Sequence, residues 1–266
     1  MCGRYASARK RIELLEEFSV QRDRVADDLQ PDYNVAPTRK VYAVMDREQR
    51  PHDGEPEAEP ARGVARELRV VRWGLVPTWA KDISIGSKLI NARAETVHEK
   101  PSFRRAFAKR RCLLPADGYY EWQVLENAGP RGGKRKQPYF IHRADSGLMA
   151  FAGLYELWRD KAVPDGDPAA WLWTATIITT SAPDELGQIH DRMPMTIAPE
   201  SWADWLDPAN ADADDVRALL VPAAARGLAT YPVSTEVNSV RNNGPELMQP
   251  VPDIAAPGAA PWSDRD

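Results

Sequence analysis

The sequence predicts an α+β fold: one β-rich domain with a curled or barrel-like sheet and a few flanking helices. Three observations carry this. Short apolar segments with strand-like character recur from about residue 41 to residue 234, separated by turn residues. Helical periodicity is confined to brief stretches between them. Hydrophobic residues make up 43% of the 266 positions against 28% charged, enough for a real core and too apolar for global disorder. No internal repeat and no linker interrupts the middle of the chain. A single domain over residues 2–247 is expected, followed by a disordered tail over 248–266 rich in Pro and Ala.

The elements follow in order. Residues 9–18 place Ile12, Leu15 and Phe18 at helical spacing among Lys and Glu, a short amphipathic helix. Residues 31–37 are turn chemistry built around Tyr33. Residues 41–45 read as a strand, 47–66 as a Pro- and Glu-rich surface loop, and 68–76 as a strand carrying Trp73-Gly74. Polar residues 91–96 follow the apolar pair Leu89-Ile90, and 102–111 look like a basic helix. Two short strands, 112–115 and 119–124, flank Asp117-Gly118, and 127–136 form a Gly-rich basic loop. Three more strands are expected at 139–142, 148–158 and 172–180, with a loop at 163–168 before the last, which is rich in Thr and Ile. Residues 183–190 make a helical turn or two, stopped by Pro194. Residues 200–206 and 214–220 look helical, and 230–234 is a late strand.

Composition narrows the function classes. Only two cysteines occur, Cys2 and Cys112, so neither a disulfide framework nor a CxxC metal site is present. The sequence shows no metal-ligand cluster and no Gly-rich nucleotide loop, and no cofactor is expected. No apolar run is long enough to span a bilayer, and the first residues lack a secretory segment, so a reducing, cytoplasmic setting is expected. The net charge of −4 argues weakly against nucleic acid, but its distribution matters more. Base collects at Arg104, Arg105, Lys109, Arg110 and Arg111, and again at Arg131, Lys134, Arg135 and Lys136. Either set is a solvated face or a phosphate-binding surface.

The chemistry centres on Met1-Cys2-Gly3. Removal of Met1 leaves Cys2 with an α-amine and a thiol on adjacent carbons, with reference pKa values of about 7.7–8.0 and about 8.5. An aldehyde is the natural electrophile for that pair. The amine forms an imine and the thiol closes on the imine carbon to give a five-membered thiazolidine. Closure is intramolecular, with an effective molarity of roughly 10⁵ M or more when well oriented. Glu121, a lone carboxylate within Gly118-Tyr119-Tyr120-Glu121-Trp122, suits proton transfer if burial raises its pKa. His190, beside Asp191 and near Asp184, is the most promising histidine. Asn91 can hold a reacting oxygen or amine, Arg93 can fork onto a phosphate, and Trp73 offers a flat face to a nucleobase.

Each signal alone is weak, but their order is specific. Met1-Cys2-Gly3-Arg4-Tyr5, Tyr33-Asn34-Val35-Ala36-Pro37-Thr38, Arg72-Trp73-Gly74-Leu75-Val76-Pro77, Asn91-Ala92-Arg93-Ala94-Glu95-Thr96, Arg111-Cys112-Leu113-Leu114-Pro115, Gly118-Tyr119-Tyr120-Glu121-Trp122 and His190-Asp191-Arg192-Met193-Pro194 together resemble the SOS response-associated peptidase (SRAP) family. The resemblance runs from Cys2 to about Leu247; residues 53–66 and the tail have no counterpart. It implies a positively charged cleft for single-stranded DNA and a covalent crosslink from the N-terminal Cys to abasic sites. Carried over by motif, Cys2 would be the nucleophile, Asn91 a positioning group, and Glu121 and His190 the proton-transfer residues. Arg4, Asn34, Trp73 and Arg93 would line the cleft. A monomer acting on abasic single-stranded DNA near the nucleoid is the corresponding expectation, with secondary lyase activity and autocatalytic loss of Met1. The alternatives are an N-terminal-nucleophile Cys peptidase or amidohydrolase, and a non-catalytic binder of single-stranded DNA.

Overall fold

Strands buried on both faces dominate the architecture, which is a computed structural model describing residues 2–48, 63–126, 134–164, 166–222 and 227–252. In chain order the described elements begin β1 (Tyr5–Ser7), α1 (Arg11–Glu17), β2 (Arg22–Asp23), β3 (Asp32–Val35), β4 (Lys40–Glu48), β5 (Val64–Trp73) and β6 (Asn91–Arg93). They continue α2 (Arg104–Lys109), β7 (Arg111–Ala116), β8 (Gly118–Leu125), β9 (Arg135–Arg143), β10 (Met149–Arg159) and β11 (Trp171–Ser181). The last are α3 (Asp184–Gly187), β12 (Arg192–Pro194), α4 (Trp202–Leu206), α5 (Ala213–Ala218) and β13 (Leu228–Pro232).

β7, β4, β5, β11 and β10 pair in that order and close on themselves, because β10 also pairs with β7. The seam between β5 and β11 is parallel and short, joining Arg72 to Thr174 and Trp73 to Ala175. The other ring contacts are antiparallel. Closure removes the sheet edges that would otherwise expose unpaired backbone. A second sheet, in the order β13-β9-β8-β1-β3, lies against the ring.

Alternation assigns the two faces. On β4, Tyr42 and Val44 join Leu68, Leu113 and Leu154 in an outer layer. That layer is covered by Leu14 and Phe18 of the α1 region, Phe107 of α2, Trp202 and Trp205 of α4, and Val216 of α5. The opposite face presents Val41, Ala43, Met45, Val71, Trp73, Cys112, Phe151 and Ile177, packed with Tyr5, Val35, Tyr119 and Ile141 of the second sheet. Both faces are therefore dry along β7, nearly all of β10 and the middle of β4 and β11. That is why their sequences read as nearly continuous apolar runs rather than clean alternation.

Several expectations change. Residues 32–35 form a strand, β3, not a turn: Tyr5 pairs with Val35 and Ser7 with Asp32. β4 extends to Glu48 and β5 starts at Val64, so the loop expected over 47–66 is shorter; residues 49–62 lie outside the described residues, as do 127–133. Arg111 is not part of a phosphate surface. It is 2% exposed and donates to the carbonyls of Trp205, Phe107, Ala108, Asp207 and Asn210. Burial lowers its pKa to about 10, against the opposing pull of the Asp207 carboxylate. The chain also stays attached beyond Leu247: Val233 bridges Pro250, and the Val251 N–H donates to Pro232. Residues 253–266, most of the expected tail, lie outside the described residues.

Candidate active site at one mouth of the barrel

The loop-and-strand segment after β5 builds one wall of the site. Trp73 ends the strand and Gly74 turns the chain with φ +123°, a conformation open to glycine alone at little cost. A Cβ on Gly74 would sit 2.5 Å from the Gly86 carbonyl oxygen, and one on Gly86 would sit 2.6 Å from that of Gly74. These two glycines let the segment fold back so that β6 pairs in parallel with β11, Asn91 opposite Ile177 and Arg93 opposite Thr179. The Trp73 Nε1–H donates to the Ile90 carbonyl at 2.9 Å, fixing the turn just before Asn91.

Cys2 lies at this mouth, fully buried among Tyr5, Trp73, Tyr119 and Ile177. The Asn91 Nδ2–H donates to the Cys2 carbonyl at 2.8 Å. Asn91 Oδ1 is buried and has no partner among the described residues. Burial drives the Cys2 thiol pKa far up, and the neighbouring Glu121 carboxylate adds to the rise. The thiol is therefore neutral at rest. Glu121, on β8 opposite Tyr139 of β9, is 3% exposed. Burial pushes its carboxyl up to about 7, with the positive chain terminus pulling the other way.

His190 is partly exposed, at the end of the turn that follows α3. Its Nδ1 accepts the Arg192 N–H at 3.0 Å and lies 2.9 Å from Asp191 Oδ1. The first contact needs the Nδ1 lone pair, so the neutral ring carries its proton on Nε2; the second becomes a hydrogen bond only on protonation. Burial lowers the imidazole pKa, and the nearby chain terminus lowers it further. The Asp184 side chain lies outside the described residues.

The structure thus brings Cys2, Asn91, Glu121 and His190 to one mouth, but sorts the expected cleft residues differently. Arg93 is exposed on β6. Arg4 is half-buried, donating through Nη1 to Asn34 Oδ1 at 2.7 Å and to the Val237 carbonyl at 2.8 Å. Asn34 is corrected from a cleft residue to a clamp. It is 3% exposed, and its Nδ2 donates to the carbonyls of Val237, Ser239 and Asn242. Trp73 is corrected too: it has no exposed surface, meets Tyr5 edge-on at 5.1 Å, and cannot offer a face to a base. The exposed indole of that segment is Trp79, at 58%.

Arg192 escaped the sequence reading, although it sits two residues after His190. It makes a two-pronged contact with Glu95 at 2.6 and 3.0 Å and donates to the Thr179 carbonyl. Only its position in a motif hinted at it. A cavity of about 640 Å³ between β10, α4 and α5 is lined by residues that include Leu148, Ile197, Trp202 and Leu219 and by none of the candidate site residues.

Comparison with known proteins assigns the family. The family model described as "SOS response associated peptidase (SRAP)" matches residues 1–240. The abasic site processing protein YoqW of Bacillus subtilis is 41% identical over 249 residues, covering 94% of this chain and 99% of that protein. The abasic site processing protein YedK of Escherichia coli is 32% identical, covering 94% and 100%. HMCES of Gallus gallus, also named an abasic site processing protein, is 33% identical, covering 94% of this chain and 78% of its own. Among solved structures, a protein from Bacteroides thetaiotaomicron superposes with a TM-score of 0.74 at 26% identity, covering 94% of this chain and 100% of that one. The chain belongs to the SOS response associated peptidase (SRAP) family.

Proposed function

We propose that this protein processes abasic sites in single-stranded DNA by forming a covalent thiazolidine through Cys2 after loss of Met1. The observation that carries the reading is the gathering of Cys2, Asn91, Glu121 and His190 at one barrel mouth, with the Cys2 carbonyl held by Asn91 and a carboxyl of pKa about 7 beside it. The names of the relatives support the substrate.

The order of steps follows from the protonation states. A buried, neutral thiol is a poor first nucleophile, so the amine attacks the C1′ aldehyde of the ring-opened sugar. The amine N–C bond forms and the aldehyde oxygen becomes a hydroxyl. Loss of that hydroxyl as water gives the imine. A carboxyl of pKa about 7 gives and takes these protons near neutrality. The thiol then adds across C=N, sulfur to carbon and proton to nitrogen, closing the ring. His190 assists opening of the sugar by acid–base catalysis. Asn91 acts as the positioning group, with Oδ1 open to the amine. An imine left untrapped permits β-elimination of the 3′ phosphate, which accounts for a secondary lyase activity. Arg93 and Arg4 hold phosphates, Trp79 takes the stacking role that Trp73 cannot, and the protein acts as a monomer near the nucleoid. No helix among the described residues is long and apolar enough to cross a membrane.

Single-stranded oligonucleotides with and without one abasic site, run on a denaturing gel, test the reading. A heat-stable shifted band with the abasic strand alone is expected, with intact mass showing Met1 absent. Cys2→Ser should give little stable product, because an oxazolidine reopens readily. Equal stable yield from that variant would overturn the thiazolidine.

A further inference from the structure

The inward-facing columns of the barrel change character along their length. From the Cys2 mouth β4 reads Val41, Ala43, Met45, and β5 reads Trp73, Val71, all buried. The next inward positions are Arg47 on β4, and Arg69 then Glu67 on β5; alternation puts them on the same face, with Met45 opposite Glu67. On β11 the column runs Ile177, Ala175, Trp173, and on β10 Tyr155 stacks on that indole with ring centres 5.6 Å apart. Four strand residues separate Trp73 from Arg69, about 13 Å along the strand. The charged end is therefore the other mouth of the barrel.

Three guanidiniums meet there with one carboxylate. The Arg69 guanidinium carbon lies 4.2 Å from the centre of the Trp173 ring and that of Arg47 lies 4.9 Å away. Glu67 accepts from Arg69 Nε at 2.7 Å and approaches Arg24 Nε at 3.7 Å, so one carboxylate serves two arginines. Arg47 has the indole and no carboxylate partner among the described residues. Burial lowers the Arg69 pKa, and its neighbours Arg47 and Arg24 lower it further against the opposing pull of Glu67. The partly buried mouth holds a surplus of positive charge in rigid, fork-shaped donors on strand scaffolds, the arrangement that suits a tetrahedral oxyanion.

We propose that this far mouth is a second anion site, in which Arg24, Arg47 and Arg69 take a phosphate group. The group comes either from free phosphate or from the backbone of the strand flanking the reaction centre. Trp173 holds two of the guanidiniums in place by cation–π contact.

Calorimetric titration of the full-length protein with inorganic phosphate at low ionic strength tests the site. Saturable one-site binding is expected, weakened about tenfold or more in Arg47→Gln, as for loss of a charge-assisted contact. Arg47→Gln leaves Glu67 paired, so the test survives should Arg69→Gln fail to fold. Affinities for abasic oligonucleotides of increasing length separate the two sources. A loss in Arg47→Gln confined to long strands identifies the backbone, and unchanged affinity at every length identifies free phosphate. Absence of saturable phosphate binding, or equal affinity in Arg47→Gln, would overturn the proposal. The calorimetric arm needs no abasic site, so its failure is distinct from failure of the proposed function.

Discussion

Glu121→Gln should raise the stability of the protein at alkaline pH while removing its chemistry. The carboxyl is 3% exposed, and burial moves its pKa from an ordinary 4.5 to about 7. Each tenfold in acidity is about 1.4 kcal/mol, so ionising this group in the fold costs about 3 kcal/mol more than ionising it in the unfolded chain. A folded-state pKa above the unfolded one means stability that is full below about pH 4.5 and lost as pH rises through about 7. The amide has no such titration. Urea denaturation of both proteins between pH 4.5 and 8.5 should therefore give profiles that converge at the acid end. At the alkaline end they should separate by up to about 3 kcal/mol in favour of the variant. Abasic crosslinking by the variant should fall by about 10²-fold or more, the size of a lost general acid–base group. Parallel stability profiles would mean that Glu121 does not carry its charge at a cost.

Three other substitutions probe the scaffold. Asn34→Ala should destabilise by about 2–4 kcal/mol in urea, since it removes the donor to the carbonyls of Ser239 and Asn242 and one of the two acceptors of Arg4 Nη1. Arg111→Lys should cost about 3 kcal/mol in the same assay, because an ammonium with three donors cannot serve five buried and part-buried carbonyls. Gly74→Ala should lower thermal stability by about 2–4 kcal/mol, and its crosslinking rate should fall, because a Cβ would press on the Gly86 carbonyl and displace the turn leading to Asn91.

The strands were legible where local pattern decides them. Residues 41–45 and 172–180 sit within β4 and β11, and 148–158 matches β10 to within one residue at each end, because Val, Ile, Thr and aromatic side chains fill both faces of a closed sheet. The polar segment 32–35 was not legible. Its strand is held by pairing with β1 and by Asn34 reaching loop carbonyls more than 200 residues away, and neither partner is local. The basic run at 104–111 hid a similar split: Arg104, Arg105 and Lys109 are exposed, whereas Arg111 begins a strand and is buried beneath α2 and α4. Trp73 was misread as a free face because a motif names a residue without saying which side of the strand it takes. Its alternation with the inward Val71 held the answer. The candidate site residues came from chemistry, as an aminothiol, a carboxylate among aromatics and a lone histidine. Their convergence depends on the parallel seam of β5 and β11, which no local pattern announces.

The clamp at Asn34 and Arg4 bears on how the protein comes into being. Arg4 reaches the Val237 carbonyl, a contact between residues 233 positions apart. A ribosome must release the chain through Val237 before that clasp can form. At roughly 5–20 residues per second, synthesis leaves the nascent amino end unclasped for about ten seconds or more. Maturation is thus ordered in time: the Arg4 clasp waits for Val237, and a product truncated before that residue lacks it.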